Sequence, residues 1–302
     1  MRIGVDLGGT KTEALALDDS GHELRRVRVP TPQQDYLGTV RTIAALVQGL
    51  EREIGARGTV GVGIPGTITA ATGLVKNANS TWLNGQPLQR DLSDVLSREV
   101  RCANDANCFA ISEATDGVAV GPEVVFGVIL GTGCGGGIVV RGALLTGPNG
   151  LAGEWGHTAL PWPNADEWPG PQCYCGRRGC LETWISGPAF ERDFERATGR
   201  SLRGSEIVSA SAAGDAEAEG ALIRLEDRIA RGLSSVVDII DPDVIVLGGG
   251  LSRIDRLYSG NISARLRDYG FGGGVETPIR RNLHGDSSGV RGAAWLWPGA
   301  SH

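Results

Sequence analysis

Residues 2–18 read RIGVDLGGTKTEALALD: an apolar run, a break at Gly8-Gly9-Thr10, and a second apolar run. Two short apolar runs around turn residues predict a β-hairpin. The pattern returns at 124–140, where VVFGVIL, GTGCGGG and IVV read as strand, glycine turn and strand. A third run, DVIVLGGG at 243–250, reads as a buried strand entering a turn of three glycines, followed by a helix. Between these runs Val40, Ile43, Val47, Leu50 and Ile54 recur three or four residues apart and predict an amphipathic helix within 31–55. TVGVGIPG at 59–66 reads as a strand running into a turn, Leu88, Leu92, Val95 and Leu96 as a helix, and 100–103 as a short strand. A further helix is expected to open near Asn104-Asp105, and a long one to follow Leu222, Leu225, Ile229, Leu233, Val236 and Ile240 until Asp241-Pro242 stops it. Residues 142–182, rich in Gly, Pro and Trp, read as a decorated loop region. One cycle of strand, glycine hairpin and strand made twice predicts an α/β protein of two similar lobes with a cleft between them.

The boundary is expected near 115–123. The N-terminal α/β lobe is 1–117, completed by a C-terminal helix at about 288–302, and the C-terminal lobe is 118–287 with an inserted cysteine loop. The 302 residues carry 29 Lys+Arg against 35 Asp+Glu, a net charge of −6. No basic excess exists to meet nucleic acid or an anionic membrane, so neither is expected as the main partner. Hydrophobic residues at 41% and charged residues at 21% are ordinary globular usage, which excludes wholesale disorder. No basic, then apolar, leader opens the sequence, and the longest uncharged runs, 58–75 and 124–140, are broken by glycines. A cytoplasmic protein is expected.

Two segments match the dinucleotide pattern G-x-G-x-x-G: Gly61-Gly63-Gly66 and Gly131-Gly133-Gly136. That fingerprint needs a helix opening at the turn. Pro65 interrupts the first match, and repeated glycines after the second leave no room for a helix. The Walker pattern fails because Thr10 separates Gly9 from Lys11. What remains is a tight turn whose backbone N–H groups can meet phosphate oxygens. Gly8-Gly9-Thr10 and Gly131-Thr132-Gly133 each offer one, and two could grip a triphosphate. Either could equally be an ordinary hairpin turn using glycine for its backbone freedom.

Cys173, Cys175 and Cys180 lie within eight residues, with His157 sixteen before the first. Three thiolates and an imidazole make a closed tetrahedral Zn²⁺ site of structural type. The alternative is three buried thiols and a loop histidine. Glu154 stands three residues before His157, and Glu182 two after Cys180, so a metal here would fix two carboxylates in space. Carboxylates suit a sugar, whose hydroxyls both donate and accept.

DLGGTKTE (6–13), GTGCGGGI (131–138), EWGH (154–157), CYCGRRGCLE (173–182) and LGGG (247–250) together resemble the ROK family of sugar kinases and sugar-responsive repressors. NANSTWLNG (77–85) and HGDSSGVRGAAWLW (284–297) resemble the bacterial fructokinases (mannokinases) of that family. The resemblance implies the actin/hexokinase-like fold: two ribonuclease-H-like lobes, with an interlobe cleft, that close on ATP and a sugar. It implies zinc on His157, Cys173, Cys175 and Cys180. It makes Asp105 the base that takes the proton from the sugar hydroxyl, although an Asp there can also be a helix cap. Asn104, Asn79, Pro65, Gly66, Glu154, His157 and Glu182 join Asp105 in the expected sugar pocket. Asp6 is expected to hold Mg²⁺ through water, the alternative being a carboxylate that satisfies backbone N–H groups. Gly8, Gly9, Thr10, Lys11, Thr12, Gly131, Thr132, Gly133, Gly135 and Gly136 fall on the nucleotide's phosphate side, with a solvated Lys11 as the alternative. Gly248, Gly249 and Gly250 fall on the adenosine side.

The expected activity is ATP-dependent phosphorylation of a hexose 6-hydroxyl, D-fructose first and mannose also. Glucokinase and N-acetylglucosamine or N-acetylmannosamine kinase are the alternatives within the family. A sugar-responsive regulator is disfavoured, since only Met1 and Arg2 precede the first strand here and no basic recognition helix is present. A non-catalytic sensor is disfavoured because Asp6, Asp105 and both glycine turns are intact. A homodimer is expected.

Overall fold

The computed structural model describes residues 1–297. The first sheet is formed by β1 (Arg2–Leu7), β2 (Lys11–Leu17), β3 (Glu23–Pro30), β4 (Thr59–Ile64) and, in chain order after the small β5 (Thr67–Ile68) and β6 (Val75–Lys76), β7 (Val100–Asn104). Helices α1 (Tyr36–Ile54), α2 (Leu88–Leu96) and α3 (Asp105–Thr115) interleave with them. The second sheet holds β8 (Val124–Leu130), β9 (Cys134–Val140), β10 (Ala143–Leu144), β11 (Val244–Gly248) and β12 (Ile279–Arg281). Its helices are α4 (Glu182–Ile185), α5 (Gly187–Thr198), α6 (Gly204–Ala212), α7 (Ala216–Ile240) and α8 (Asn261–Tyr269), and α9 (Ser288–Ala294) follows. The strand orders are β3-β2-β1-β4-β7 and β10-β9-β8-β11-β12. Among the described residues no helix is long and apolar enough to cross a membrane.

The chain divides into two compact units. The first takes residues 1–120, 137–152 and the segment from Leu283 onward; the second takes 121–136 and 153–282. Residues 137–152 thus group with the first unit rather than with the sequence around them. The cause is Gly137, where a Cβ would stand 2.6 Å from the Ala106 carbonyl oxygen and 2.8 Å from the Ala110 methyl, so the strand lies directly on α3.

Side-chain alternation organises the first unit. Ile3, Val5, Leu7, Val60, Val62 and Ile64 are buried on one face, where Val40, Ile43, Val47 and Leu50 of α1 meet them. Gly4 and Gly61 are on the other face, under α9. A Cβ on Gly61 would come within 1.8 Å of the Ala293 carbonyl oxygen, and one on Gly4 within 2.0 Å of that of Val290. Gly61 is therefore a packing glycine, which disposes of the first dinucleotide match. The expected C-terminal helix ends at Ala294, and residues 298–302 of that expectation lie outside the described residues. The segment is anchored by Glu113 and Asp116. Glu113 accepts from Leu283 N–H (3.1 Å) and Ser288 Oγ (2.8 Å); Asp116 accepts from Trp295 Nε1 (2.8 Å) and Arg291 Nε (3.1 Å).

In the second unit the long apolar stripe does form one helix, α7, opened by Asp215, which accepts from Glu217 and Ala218 N–H, and closed at Asp241 in the left-handed region. The segment after β11 departs from expectation. Gly250–Arg253 and Asp255–Tyr258 are 3₁₀ turns, and the helix starts only at Asn261.

Candidate active site

In the first unit β1, β4 and β7 run parallel, with Asp6 level with Gly63 and Ile64 level with Asn104. Asp6 and Asn104 therefore stand at the carboxyl ends of parallel strands, where open α/β sheets take their ligands. Asn104 caps α3. Its Oδ1 accepts from Ala106 N–H at 2.8 Å and its Nδ2 donates to the Gly66 carbonyl at 3.1 Å. The cap is thus Asn104 and not Asp105, which becomes the first helical residue and also accepts from Ala106 N–H (2.8 Å). Asp105 is open to solvent on its outer side, yet surrounding protein removes its carboxyl from water and raises its pKa, against the Ala106 and Asn104 hydrogen bonds. Asp6 is pushed up to about 7, first by burial, then by the charges of Asp105 and Glu13, with Arg28 opposing. Glu13 itself is held by Arg26 (2.5 Å) and by Arg28 Nε (2.8 Å). A half-buried carboxylate whose ionised form is disfavoured in this way gains from a cation placed beside it.

The Gly8–Thr10 turn has its carbonyls tied inward. Thr31 donates to Gly8 (Oγ1, 2.8 Å) and Thr10 (N–H, 3.0 Å), and Gln33 donates to Gly9 (3.1 Å). Gly9, Thr10 and Lys11 are exposed. Thr12 is fully buried, its hydroxyl 2.8 Å from that of Thr31, so it braces the turn from beneath and does not face a nucleotide. Gly66 has φ +79°, and a Cβ would stand 2.4 Å from the Lys76 carbonyl oxygen, so the turn after half-buried Pro65 requires glycine. Asn79 is exposed beside Ala78, whose backbone N–H and carbonyl are both held by the Asn84 amide (2.9 and 3.0 Å).

In the second unit the turn is confined to Gly131–Gly133, and β9 begins at Cys134. Gly135 and Gly136, expected at the phosphates, lie in that strand. The Gly135 carbonyl accepts from Trp155 Nε1 (3.1 Å), and a Cβ on Gly136 would stand 2.8 Å from the Trp155 ring. Their smallness serves the tryptophan. The turn itself is pinned twice. Gly187 N–H, at the start of α5, donates to the Gly131 carbonyl at 2.8 Å, and Cys134 N–H donates to Glu182 Oε2 at 3.0 Å. A cavity of about 720 Å³ opens beside it, lined by Gly131, Thr132, Pro188, Glu191, Arg203 and Gly250 among others. Of the three glycines expected at adenosine only Gly250 lines it. Gly248 ends β11, and Gly249, at φ +80°, lies against the Leu130 carbonyl. Pro188, Glu191 and Arg203 escaped the sequence reading; the one signal was Ser186-Gly187-Pro188, a helix start with Pro in its first turn.

The donor atoms of His157, Cys173, Cys175 and Cys180 all lie within 4.8 Å of one another. His157 Nδ1 is 3.6 Å from Cys173 Sγ, and Cys175 Sγ is 3.6 Å from Cys180 Sγ. Tetrahedral zinc with ordinary bond lengths requires edges of about 3.5 Å (N to S) and about 3.8 Å (S to S). The residues fit the ion. The hairpin carrying them turns at Gly176 (φ +88°) and Gly179 (φ +69°), where the left-handed backbone favours glycine. His157 Nε2, on the opposite side of the ring, is 2.9 Å from Tyr174 Oη. The Tyr174 pKa is pushed up to about 12 by removal from water and then by the Glu182 and Glu154 charges.

The ROK family model matches residues 2–300. The N-acetyl-D-glucosamine kinase of Yersinia pseudotuberculosis is 40% identical over 300 residues, 98% of each chain. That of Haemophilus influenzae is 40% identical over 305, covering 98% of this chain and 99% of that protein. Among solved structures, the ROK hexokinase from Thermus thermophilus superposes with a TM-score of 0.86 at 35% identity, covering 98% and 97% of the two chains. A ROK family glucokinase from Streptomyces griseus, in complex with glucose and AMPPNP, gives a TM-score of 0.76 at 29% identity, covering 98% of each. The two mixed sheets are those of the actin/hexokinase-like fold, and the chain belongs to the ROK family as an ATP-dependent sugar kinase.

Proposed function

We propose that the protein transfers the γ-phosphoryl group of ATP to the 6-hydroxyl of a hexose, with N-acetyl-D-glucosamine the first substrate. The substrate assignment is supported by the kinases that share 40% of its residues along nearly the whole chain. Those relatives displace fructose to second place, where it rests on the resemblance of 77–85 and 284–297 alone. The phosphoryl-transfer reading is carried by Asp105. It is a carboxylate at the mouth of parallel strands with a pKa raised by removal from water, the direction that suits a general base.

In this reading Asp105 accepts the proton of the 6-hydroxyl as its oxygen bonds to the γ-phosphorus and the bond from phosphorus to the departing ADP breaks. Positioning and charge neutralisation supply most of the catalysis in such transfers. Asn104 and Asn79 hydrogen-bond sugar hydroxyls, and Gly66 lets backbone approach them. Glu154, His157 and Glu182 complete sugar recognition. The Gly8–Thr10 and Gly131–Gly133 turns meet phosphate oxygens through backbone N–H groups other than those of Gly8 and Gly131, which bond the Lys11 and Gly133 carbonyls within the turns, and the cavity beside Gly250 takes the nucleoside. Asp6 would hold Mg²⁺ through water; bound there, the ion would neutralise phosphate charge. Zinc held by His157, Cys173, Cys175 and Cys180 would be structural, fixing Glu154 and Glu182.

The test is ADP release across hexoses and N-acetylhexosamines with wild type and Asp105→Asn. The variant is expected to bind ATP and sugar normally and to lose turnover by about 10²–10⁴-fold. Normal turnover would remove Asp105 from the mechanism, and a clear fructose preference would reverse the substrate order.

A further inference from the structure

Tyr174 separates two of the four cluster residues, Cys173 and Cys175, and is 73% exposed. An aromatic side chain so placed has no packing reason for a fixed position, yet it has two specific contacts. Its ring meets the His157 ring edge-on, 5.0 Å between centroids at 87°, and its hydroxyl is 2.9 Å from His157 Nε2. The direction of that hydrogen bond follows from the cluster. Nδ1 faces Cys173 Sγ and supplies the lone pair a metal takes. A neutral imidazole ligated through one nitrogen carries its single proton on the other. Nε2–H therefore donates and the Tyr174 oxygen accepts, which leaves the phenolic proton to be given elsewhere.

We propose that Tyr174 is a sugar-recognition residue: its O–H, aimed by the contact with His157, hydrogen-bonds a sugar hydroxyl. In the sugar-kinase reading the carboxylates of Glu154 and Glu182 take donors from the same sugar. The proposal rests on the sugar-kinase reading above.

The experiment compares wild type with Tyr174→Phe, which keeps the ring and deletes only the hydroxyl. Sugar Kd by calorimetry, KM and kcat, zinc content, and the rate of zinc loss to a chelator are measured for both. Sugar Kd and KM are expected to rise roughly tenfold, the size of one lost hydrogen bond, with kcat, the KM for ATP and zinc retention unchanged. In a series of monodeoxy sugars, one analogue should bind wild type weakly and lose nothing further in the variant. Unchanged sugar affinity in an active variant overturns the proposal alone. So does tighter sugar binding, which would make Tyr174 a competitor for His157. Faster zinc loss matching the lost affinity would reduce it to a support of the metal ligand. If wild type phosphorylates no hexose, the kinase reading falls first and this one with it.

Discussion

Glu182 was expected only at the sugar, but its Oε2 accepts from Cys134 N–H at 3.0 Å and would crowd a Cβ on Gly133 at 2.7 Å. It braces the glycine turn beside the 720 Å³ cavity. Cys134 is 6% exposed, so Glu182→Ala leaves a buried N–H without its acceptor. A hydrogen bond to a charged group contributes about 1.5–3 kcal/mol. With roughly half of that appearing as the cost of re-ordering the turn around phosphate, nucleotide binding weakens by ~1.1 kcal/mol, or about sixfold. Glu182→Gln keeps an accepting oxygen but loses the charge, and should weaken it by about threefold. The assay is displacement of a fluorescent ATP analogue without sugar, so that any direct role of Glu182 at the sugar does not enter. If the alanine variant binds nucleotide as wild type does while its sugar KM rises, the bracing role is wrong. Equal losses in the two variants would show that the accepting oxygen is not what matters.

With zinc on the proposed site, a chelator is expected to lower the melting temperature and abolish sugar binding together; a metal-free protein with full sugar affinity would refute the scaffold role. Thr12→Val is expected to leave the KM for ATP unchanged and to cost about 1 kcal/mol in denaturant unfolding, because Thr12 bonds Thr31 beneath the turn; a large rise in KM would put Thr12 back at the nucleotide. His284 has its pKa raised from the usual 6.5, chiefly by the Asp116 hydrogen bond. A folded value above the unfolded one stabilises fully below about pH 6.5 and is lost as pH rises through the folded value. The wild-type melting temperature should therefore fall more steeply than that of His284→Gln on going from pH 6 to the alkaline side, and parallel curves would exclude the pairing.

Whatever is local in sequence was legible. The hairpin at Gly8-Gly9, the α7 stripe with its Asp241-Pro242 stop, and the Cys173-Cys175-Cys180 spacing each carry their meaning within a few residues. Signals that depend on distant partners were misread. Gly135 and Gly136 look like more of the turn, and only Trp155, some twenty residues on, shows that they are packing positions. Thr12 continues the DLGGTKT motif, but strand alternation turns it inward onto Thr31. ELRRVRVP at 23–30 is too charged to read as a strand; it forms β3 because it lies at the sheet edge, where its arginines reach Glu13. The cavity wall from α5 and α6 left only the Ser186-Gly187-Pro188 helix start as a mark, since glycine, proline and charge are ordinary at helix starts.

The close seating of α9 on Gly4 and Gly61 bears on how the chain is made. Met1 to Val120 leave the ribosome well before α9, yet the sheet they form has one face waiting for that helix. Everything from Gly153 to Asn282 can finish its own hydrophobic interior meanwhile. Biogenesis should thus run out of chain order: the segment made between them matures before the sheet made earlier is sealed by the helix made later. A nascent fragment halted before Leu283 would carry an uncovered stripe of Leu15 and Leu17, a target for chaperones.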